Sequence, residues 1–395
     1  MQTTMQPLQS RQRVQSIDLL RGSIMIIMAL DHVRDYFHWS SQFYNPLDLN
    51  HTSVPIYFTR WITHFCAPVF MFLAGTSAYL IGLRKNKKQL SFFLFTRGLW
   101  LMFLEVTIVC FGWSFNIHFP FIGLITIWAL GVSMVALSAF VYLPFRLVLA
   151  ACIVIVAGHN LFDDFHVAGH GIRAFLWDEL HDPEGFKFHG HLLFTGYPVL
   201  SWIGIILLGY CFGAFYKKDF PREQRKKWLL LLGTGAIILF VVLRMINVYG
   251  DAQHWSAQNS STYTFLSFMN VVKYPPSLLY TLATLGPAVI ILALIEKPLN
   301  RFTRFISVYG RVPMFYYLIH IYLIHLLAMI ASQVTGFGWR PMVAAFGFPE
   351  IHGYGFSLAV VYLIWIAVVL ALYPLCKWYD RYKTSHKEKW WLSYL

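Results

Sequence analysis

Arg21 and His32 stand eleven residues apart inside one apolar segment, residues 19–37. Eleven residues of α-helix turn through about 1100°, about 20° past three full turns, so both side chains share one helix face. Asp18, Met25, Met28 and Asp35 fall on the same stripe at three- and four-residue steps. The helical rise puts His32 about 16 Å further along the axis than Arg21. Ionisable residues inside a membrane span are costly and normally face a protein interior or a water-filled cavity, so they mark a functional site by default. Asp31 precedes His32 and Asp35 lies three residues beyond it. A histidine beside carboxylates can be held in one tautomer with raised basicity, which suits a general base. Asp18 and Arg21, three apart, can pair. The competing reading is a structural polar stripe that binds helices together.

Other apolar segments carry polar groups that can meet this stripe. Arg60 and His64 are four apart and share a face, followed by Pro68 and the small-residue run 74–77. Arg97 and Glu105 lie in a third segment; an Arg21/Arg97 pair suits the phosphates of a nucleotide-bearing donor, and interhelical salt bridges are the alternative. Near residue 310 the chain carries Arg311, Tyr316 and His320, the last two on one face. Together Asp18, Arg60, His64, Glu105, Arg311, Tyr316 and His320 are the expected lining of a polar cavity among several helices. Lys273-Tyr274-Pro275-Pro276-Ser277 predicts a sharp turn into a helix. Six histidines, His159, His166, His170, His181, His189 and His191, cluster in one loop region. Their spacing fits no zinc template and no helical HExxH occurs, so no metal is expected.

The elements that must position these groups are membrane helices. The chain is 57% hydrophobic and 12% charged, against roughly a quarter charged in soluble domains. Ten apolar segments of about helix-spanning length fall near 18–37, 59–82, 90–112, 121–142, 145–159, 193–216, 228–249, 274–296, 305–333 and 356–376. With both termini cytoplasmic, the inner segments collect 21 of the 31 Lys and Arg residues, which is the positive-inside asymmetry. The net charge of +13 therefore reflects topology and gives no reason to expect a nucleic-acid partner. The predicted architecture is an all-α polytopic membrane protein. A cytoplasmic segment (1–17) leads into a transmembrane domain (18–376) with outer loops 38–58 and 160–192, and a basic cytoplasmic tail (377–395) follows. The five cysteines are scattered without paired spacing and read as small buried apolar residues. No internal repeat of the secondary-transporter kind is visible.

Ser16-Ile17-Asp18-Leu19-Leu20-Arg21-Gly22 followed by Asp31-His32 resembles the opening of the membrane acyltransferases related to the acyltransferase-3 superfamily, whose first span carries Arg or Lys, ten residues, then His. More closely, residues ~15 to 376 resemble the bacterial branch of the heparan-alpha-glucosaminide N-acetyltransferase catalytic-domain family. The runs 59–68 with 73–76, 97–105, 273–277 and 310–320 carry that likeness in order. The resemblance implies acetyl transfer from acetyl-CoA to a small-molecule or glycan acceptor, a sugar above all, through a site inside the helix bundle. The protein would lie in the bacterial inner membrane, with a homodimer as one option. Arg21 and His32 match the superfamily's Arg–His pair. In the human-type branch an Asn stands at the place of His32, and the reported catalytic histidine lies about eleven residues beyond, where this chain has Phe43. His32 and His38 thus compete for the base role, with His32 preferred because it lies on the stripe. Asp31 or Asp35 would orient it, and Arg21, with Arg97, would bind the donor. A transporter of a polar solute that uses the same stripe as a proton relay is the alternative.

Overall fold

The computed structural model describes residues 14–343 and 351–394. Arg11 and Arg13 of the predicted basic N-terminal segment lie outside the described residues. Almost every ordered element is a helix. Seven helical stretches among the described residues are long and apolar enough to cross a membrane: Val54–Gly82, Lys87–Ser114, Phe145–Phe162, Val199–Tyr216, Arg222–Ile246, Pro313–Val334 and Leu358–Ser385. Thr126–Phe140 and Leu278–Leu294 are shorter apolar helices.

In chain order the helices are α1 (Gln15–Phe37), α2 (Val54–Thr63), α3 (Cys66–Gly82), α4 (Lys87–Leu104), α5 (Cys110–Ser114), α6 (Thr126–Phe140), α7 (Phe145–Gly158) and α8 (Ile172–Leu180). They continue with α9 (Val199–Phe212), α10 (Arg222–Ile246), α11 (Ser261–Met269), α12 (Leu278–Leu294), α13 (Arg301–Arg311), α14 (Pro313–Val334) and α15 (Leu358–Ser385). α1 sits at the centre, against α13, α14, α15, α3 and α2. Its packing on α13 is backbone to backbone. A Cβ on Gly22 would lie 2.1 Å from the Ile306 carbonyl oxygen, and one on Gly310 would lie 1.9 Å from that of Asp18. Only glycine permits this approach, the membrane-helix equivalent of a small-residue seam. Local signals set several helix starts. Asn86 with Gln89, and Asn300 with Thr303, form reciprocal capping boxes, each satisfying two otherwise orphaned N–H groups.

Several predicted segments differ in their limits: the second begins at Val54, the seventh at Arg222, and the tenth runs on to Ser385. The ninth, 305–333, is two helices: Pro313 lacks an N–H and pushes the preceding Val312 to φ −128°, ψ 48°, out of the helical region. The fourth, 121–142, becomes helical only at Thr126, because β1 (Phe121–Gly123) belongs to a small sheet. The sixth, 193–216, starts its helix at Val199 for the same reason. That sheet has the order β1-β3-β2, with β2 at Gly185–Phe188 and β3 at His191–Phe194. β1 runs parallel to β3, while β2 and β3 form an antiparallel hairpin. The 160–192 loop is thereby tied to the chain after α5. The five cysteines are free and buried.

Candidate active site

The stripe on α1 faces a cavity of about 800 Å³. Met25, Met28, Asp31, His32 and Asp35 line one wall, Arg60 and Thr63 of α2 another, and Trp113 and Tyr317 a third. Residues 41–46, Pro183 and Lys273-Tyr274 also line the cavity. The cavity therefore belongs to the C-terminal half of α1. The α1 lining residues nearest Arg21 are Ile24 and Met25, one turn along the helix from it.

His32 is held by another histidine. Its Nδ1 lies 2.8 Å from Nε2 of His320 on α14. The Nδ1 of His320 in turn lies 2.9 Å from the Tyr316 carbonyl oxygen. That carbonyl only accepts, so His320 Nδ1 carries the proton and its Nε2 is left as an acceptor. His32 then donates from Nδ1, and its own Nε2 keeps a bare lone pair. Tyr316 stacks on His320 with ring centroids 4.9 Å apart and planes within 3°. Trp113 meets the His32 ring edge-on at 4.7 Å. His320 and Tyr316 are completely buried, so the relay is rigid.

The carboxylates beside His32 are committed elsewhere. Asp31 accepts from Arg60 at 2.6 and 2.8 Å, from the Thr63 hydroxyl at 2.8 Å, and pairs with Arg34 at 2.7 Å. Asp35 pairs with Arg34. Asp31 thus pins α2 to α1, and the expected orienting role falls to His320. The charged lining comprises Arg34, Arg60 and Lys273 against Asp31 and Asp35, an excess of one cation. Burial disfavours the Lys273 ammonium, but Tyr197 and Tyr274 beside it outweigh that and hold its pKa above the usual lysine range. Its Nζ sits 5.0 Å from the Tyr274 ring centre and 5.6 Å from that of Tyr197. Burial alone would raise the Tyr274 phenol; Lys273 and Arg60 overcome this and bring it down to about 8.

The remaining predicted residues are distributed as follows. His38 is buried just past α1, with Nδ1 2.9 Å from the Ser40 hydroxyl; burial and the nearby Arg34 bring it down to about 4. It does not line the cavity. Arg21 donates to Ser77 Oγ at 2.8 Å and to the Gly310 carbonyl at 3.3 Å, with Asp18 at 3.4 Å. Arg311 pairs with Asp380 of α15 at 2.8 Å, at this same end. Arg97 stacks over Phe93 of its own helix at 4.8 Å. Glu105 is fully buried and does not line the cavity, and its Oε2 accepts from the Ile127 and Trp128 N–H groups at 2.7 and 3.0 Å. It satisfies the first turn of α6, where a carboxylate is favoured. His64 is buried edge-on to Tyr280 at 5.3 Å and is not in the lining. The structure brings together Asp31, His32, Asp35 and Arg60 in the lining, with His320 and Tyr316 directly behind His32. Lys273 and Tyr274 were legible only as a turn, and Trp113 and Tyr317 carried no signal beyond aromaticity.

The family model described as heparan-alpha-glucosaminide N-acetyltransferase, catalytic, matches residues 13–248. The chain belongs to this family. It is a multi-pass membrane protein with the catalytic domain of an acetyltransferase. The match contains the Arg21–His32 segment and Arg60, whereas Lys273 and His320 lie beyond it. No curated protein matches the chain.

Proposed function

We propose that this chain moves an acetyl group from acetyl-CoA to a hydroxyl or amine of an acceptor, a sugar by family analogy, with His32 as general base. The observation that carries this reading is the Tyr316 carbonyl–His320–His32 relay, which leaves His32 Nε2 unprotonated on a residue that lines the cavity. Nε2 takes the acceptor proton as the acceptor oxygen or nitrogen attacks the thioester carbonyl. The tetrahedral oxyanion forms in a cavity whose charged lining carries one excess cation, with Lys273 available to stabilise it. Collapse breaks the C–S bond. The CoA sulfur leaves and receives the proton from the His32 imidazolium, restoring the neutral base.

In this reading both termini and the basic loops are cytoplasmic, as the positive-inside distribution supports. The membrane is the bacterial inner membrane. The donor's phosphates approach the Arg21 end, and its acetyl end reaches past Ile24 and Met25 to His32, about 16 Å away along α1. Asp31, Asp35 and Arg60 hold the wall, and His38 is set aside because it lies off the cavity.

Acetyl-CoA titrated into the purified protein tests the donor assignment. Saturable binding is expected, weakened about tenfold or more by Arg21→Ala, the loss of one charge-assisted contact of about 1.5–3 kcal/mol. Solute flux in proteoliposomes without acyl-CoA, together with no acetyl-CoA binding, would establish the transporter alternative instead. Radiolabel recovered on a His32 peptide after incubation with acetyl-CoA alone would replace direct transfer by an acetyl-histidine intermediate.

A further inference from the structure

We propose that His159, Asp163 and His181 form a divalent transition-metal site, zinc by its donor set, that clasps the 160–192 segment to the end of α7. His159 is the residue after α7 and opens the short turn His159–Phe162 that Asp163 closes. His181 follows α8. The three side chains offer one donor atom each, all within 4.8 Å of one another. His181 Nε2 and Asp163 Oδ1 are 3.1 Å apart. Tetrahedral zinc with bonds of about 2.0–2.1 Å places its donors about 3.3–3.4 Å apart. The His181–Asp163 pair, hydrogen-bonded at 3.1 Å, is within a few tenths of an ångström of that spacing, and the His159 donor lies within 4.8 Å of both.

The polar atoms left over favour a metal over a simple hydrogen-bonded cluster. His159 and His181 are only 2% and 3% exposed. Neither ring nitrogen of His159, nor Nδ1 of His181, has a hydrogen-bond partner among the described residues. The Pro276 carbonyl lies near His159 without reaching hydrogen-bond geometry. Buried donors and acceptors without partners are costly, and a metal resolves one of the two on the His159 ring. The surroundings also fit. Asn160 Nδ2 donates to the second oxygen of Asp163 at 2.8 Å, and its Oδ1 accepts from the Leu278 N–H at 2.9 Å. That is the outer support a ligating carboxylate needs. Phe162 and Trp177 wall the His181 ring at 6.1 and 5.6 Å, giving a polar centre in an apolar shell. Two imidazoles and a carboxylate suit Zn²⁺, while Ca²⁺ and Mg²⁺ take oxygen ligands. A water completes the fourth position. Pro183, two residues past His181, lines the proposed acyl-transfer cavity, so occupancy would also steady that part of its wall.

The test uses the full chain purified without a histidine tag, stripped with chelator and titrated with Zn²⁺, Ca²⁺ or Co²⁺. A single Zn²⁺ per chain is expected, with a rise in thermal stability and no response to Ca²⁺. His159→Gln and His181→Gln should each weaken zinc binding on the order of 100-fold, while His170→Ala and His189→Ala leave it unchanged. Zinc binding that survives His159→Gln, or is lost equally in His170→Ala, overturns the assignment. Should the glutamine variants fail to fold, Co²⁺ in the wild-type chain decides: intense visible bands of a tetrahedral nitrogen/oxygen site support the proposal, and their absence refutes it.

Discussion

His320→Phe isolates the relay behind His32. Phenylalanine keeps a ring against Tyr316, where the centroids are 4.9 Å apart, and removes both the acceptor that fixes His32 Nδ1–H at 2.8 Å and the N–H given to the Tyr316 carbonyl. The Tyr316 carbonyl keeps its helical position, so the chief loss is one buried hydrogen bond and the tautomer it selects. Leaving a buried donor unpaired costs about 1–3 kcal/mol. At 1.36 kcal/mol per tenfold, kcat for acetyl transfer should fall roughly 5- to 150-fold, with the KM for acetyl-CoA unchanged. His320→Gln, whose amide can accept from His32 and donate to the Tyr316 carbonyl, should recover most of that loss. His32→Ala should cost about 10²–10⁴-fold, the usual worth of a general base, and adding His320→Phe to it should cost nothing more. The assay is transfer of radiolabelled acetyl from acetyl-CoA, in proteoliposomes, to an acceptor sugar found by screening with the wild type. Wild-type kcat in His320→Phe, or a double variant that loses the product of both single losses, would refute the relay.

Gly310→Ala should lower the melting temperature in detergent, because its Cβ would lie 1.9 Å from the Asp18 carbonyl oxygen and overpacking costs about 1–3 kcal/mol; an unchanged melting curve would mean the α1–α13 seam opens freely. Glu105→Ala should destabilise the chain by about 0.5–2 kcal/mol, as for a lost helix cap, while the folded fraction keeps wild-type transfer kinetics; a selective loss of kcat would return Glu105 to the site. Arg60→Met leaves Asp31 with half its cationic partners and should cost about 3–5 kcal/mol, measured by chemical denaturation, whereas Arg60→Lys should cost less. Ultraviolet titration should show a tyrosine ionising at about pH 8 that is missing from Tyr274→Phe, since Lys273 and Arg60 outweigh burial there. Above that pH the phenolate neutralises the excess cation of the cavity, so transfer should decline in the wild type and persist in Tyr274→Phe.

The stripe on α1 was legible because helical periodicity alone decides which residues share a face, and Met25, Met28, His32 and Asp35 do face one cavity. The partners across the cavity were not, because packing chooses them. Asp31 and Asp35 are sequence neighbours of His32, but Arg34 and Arg60 claim them, and His320, 288 residues away, takes the imidazole. The break at Val312-Pro313 was written locally in the proline and lost within a long apolar run. The late starts of α6 and α9 had no local signal, since β1 pairs with β3 some 70 residues on. The same blindness applies to His159, Asp163 and His181: a linear ligand template cannot register donors at the ends of two helices joined by a loop.

The proposed function requires that His32 do the chemistry in the cavity and that donor binding not depend on it. Release of free CoA thiol from acetyl-CoA in the presence of an acceptor sugar that the wild type acetylates tests it, measured beside acetyl-CoA affinity in wild-type and His32→Ala protein. The account predicts release in the wild type and a fall of about 100-fold or more in His32→Ala at unchanged affinity. Equal release by both proteins would contradict it.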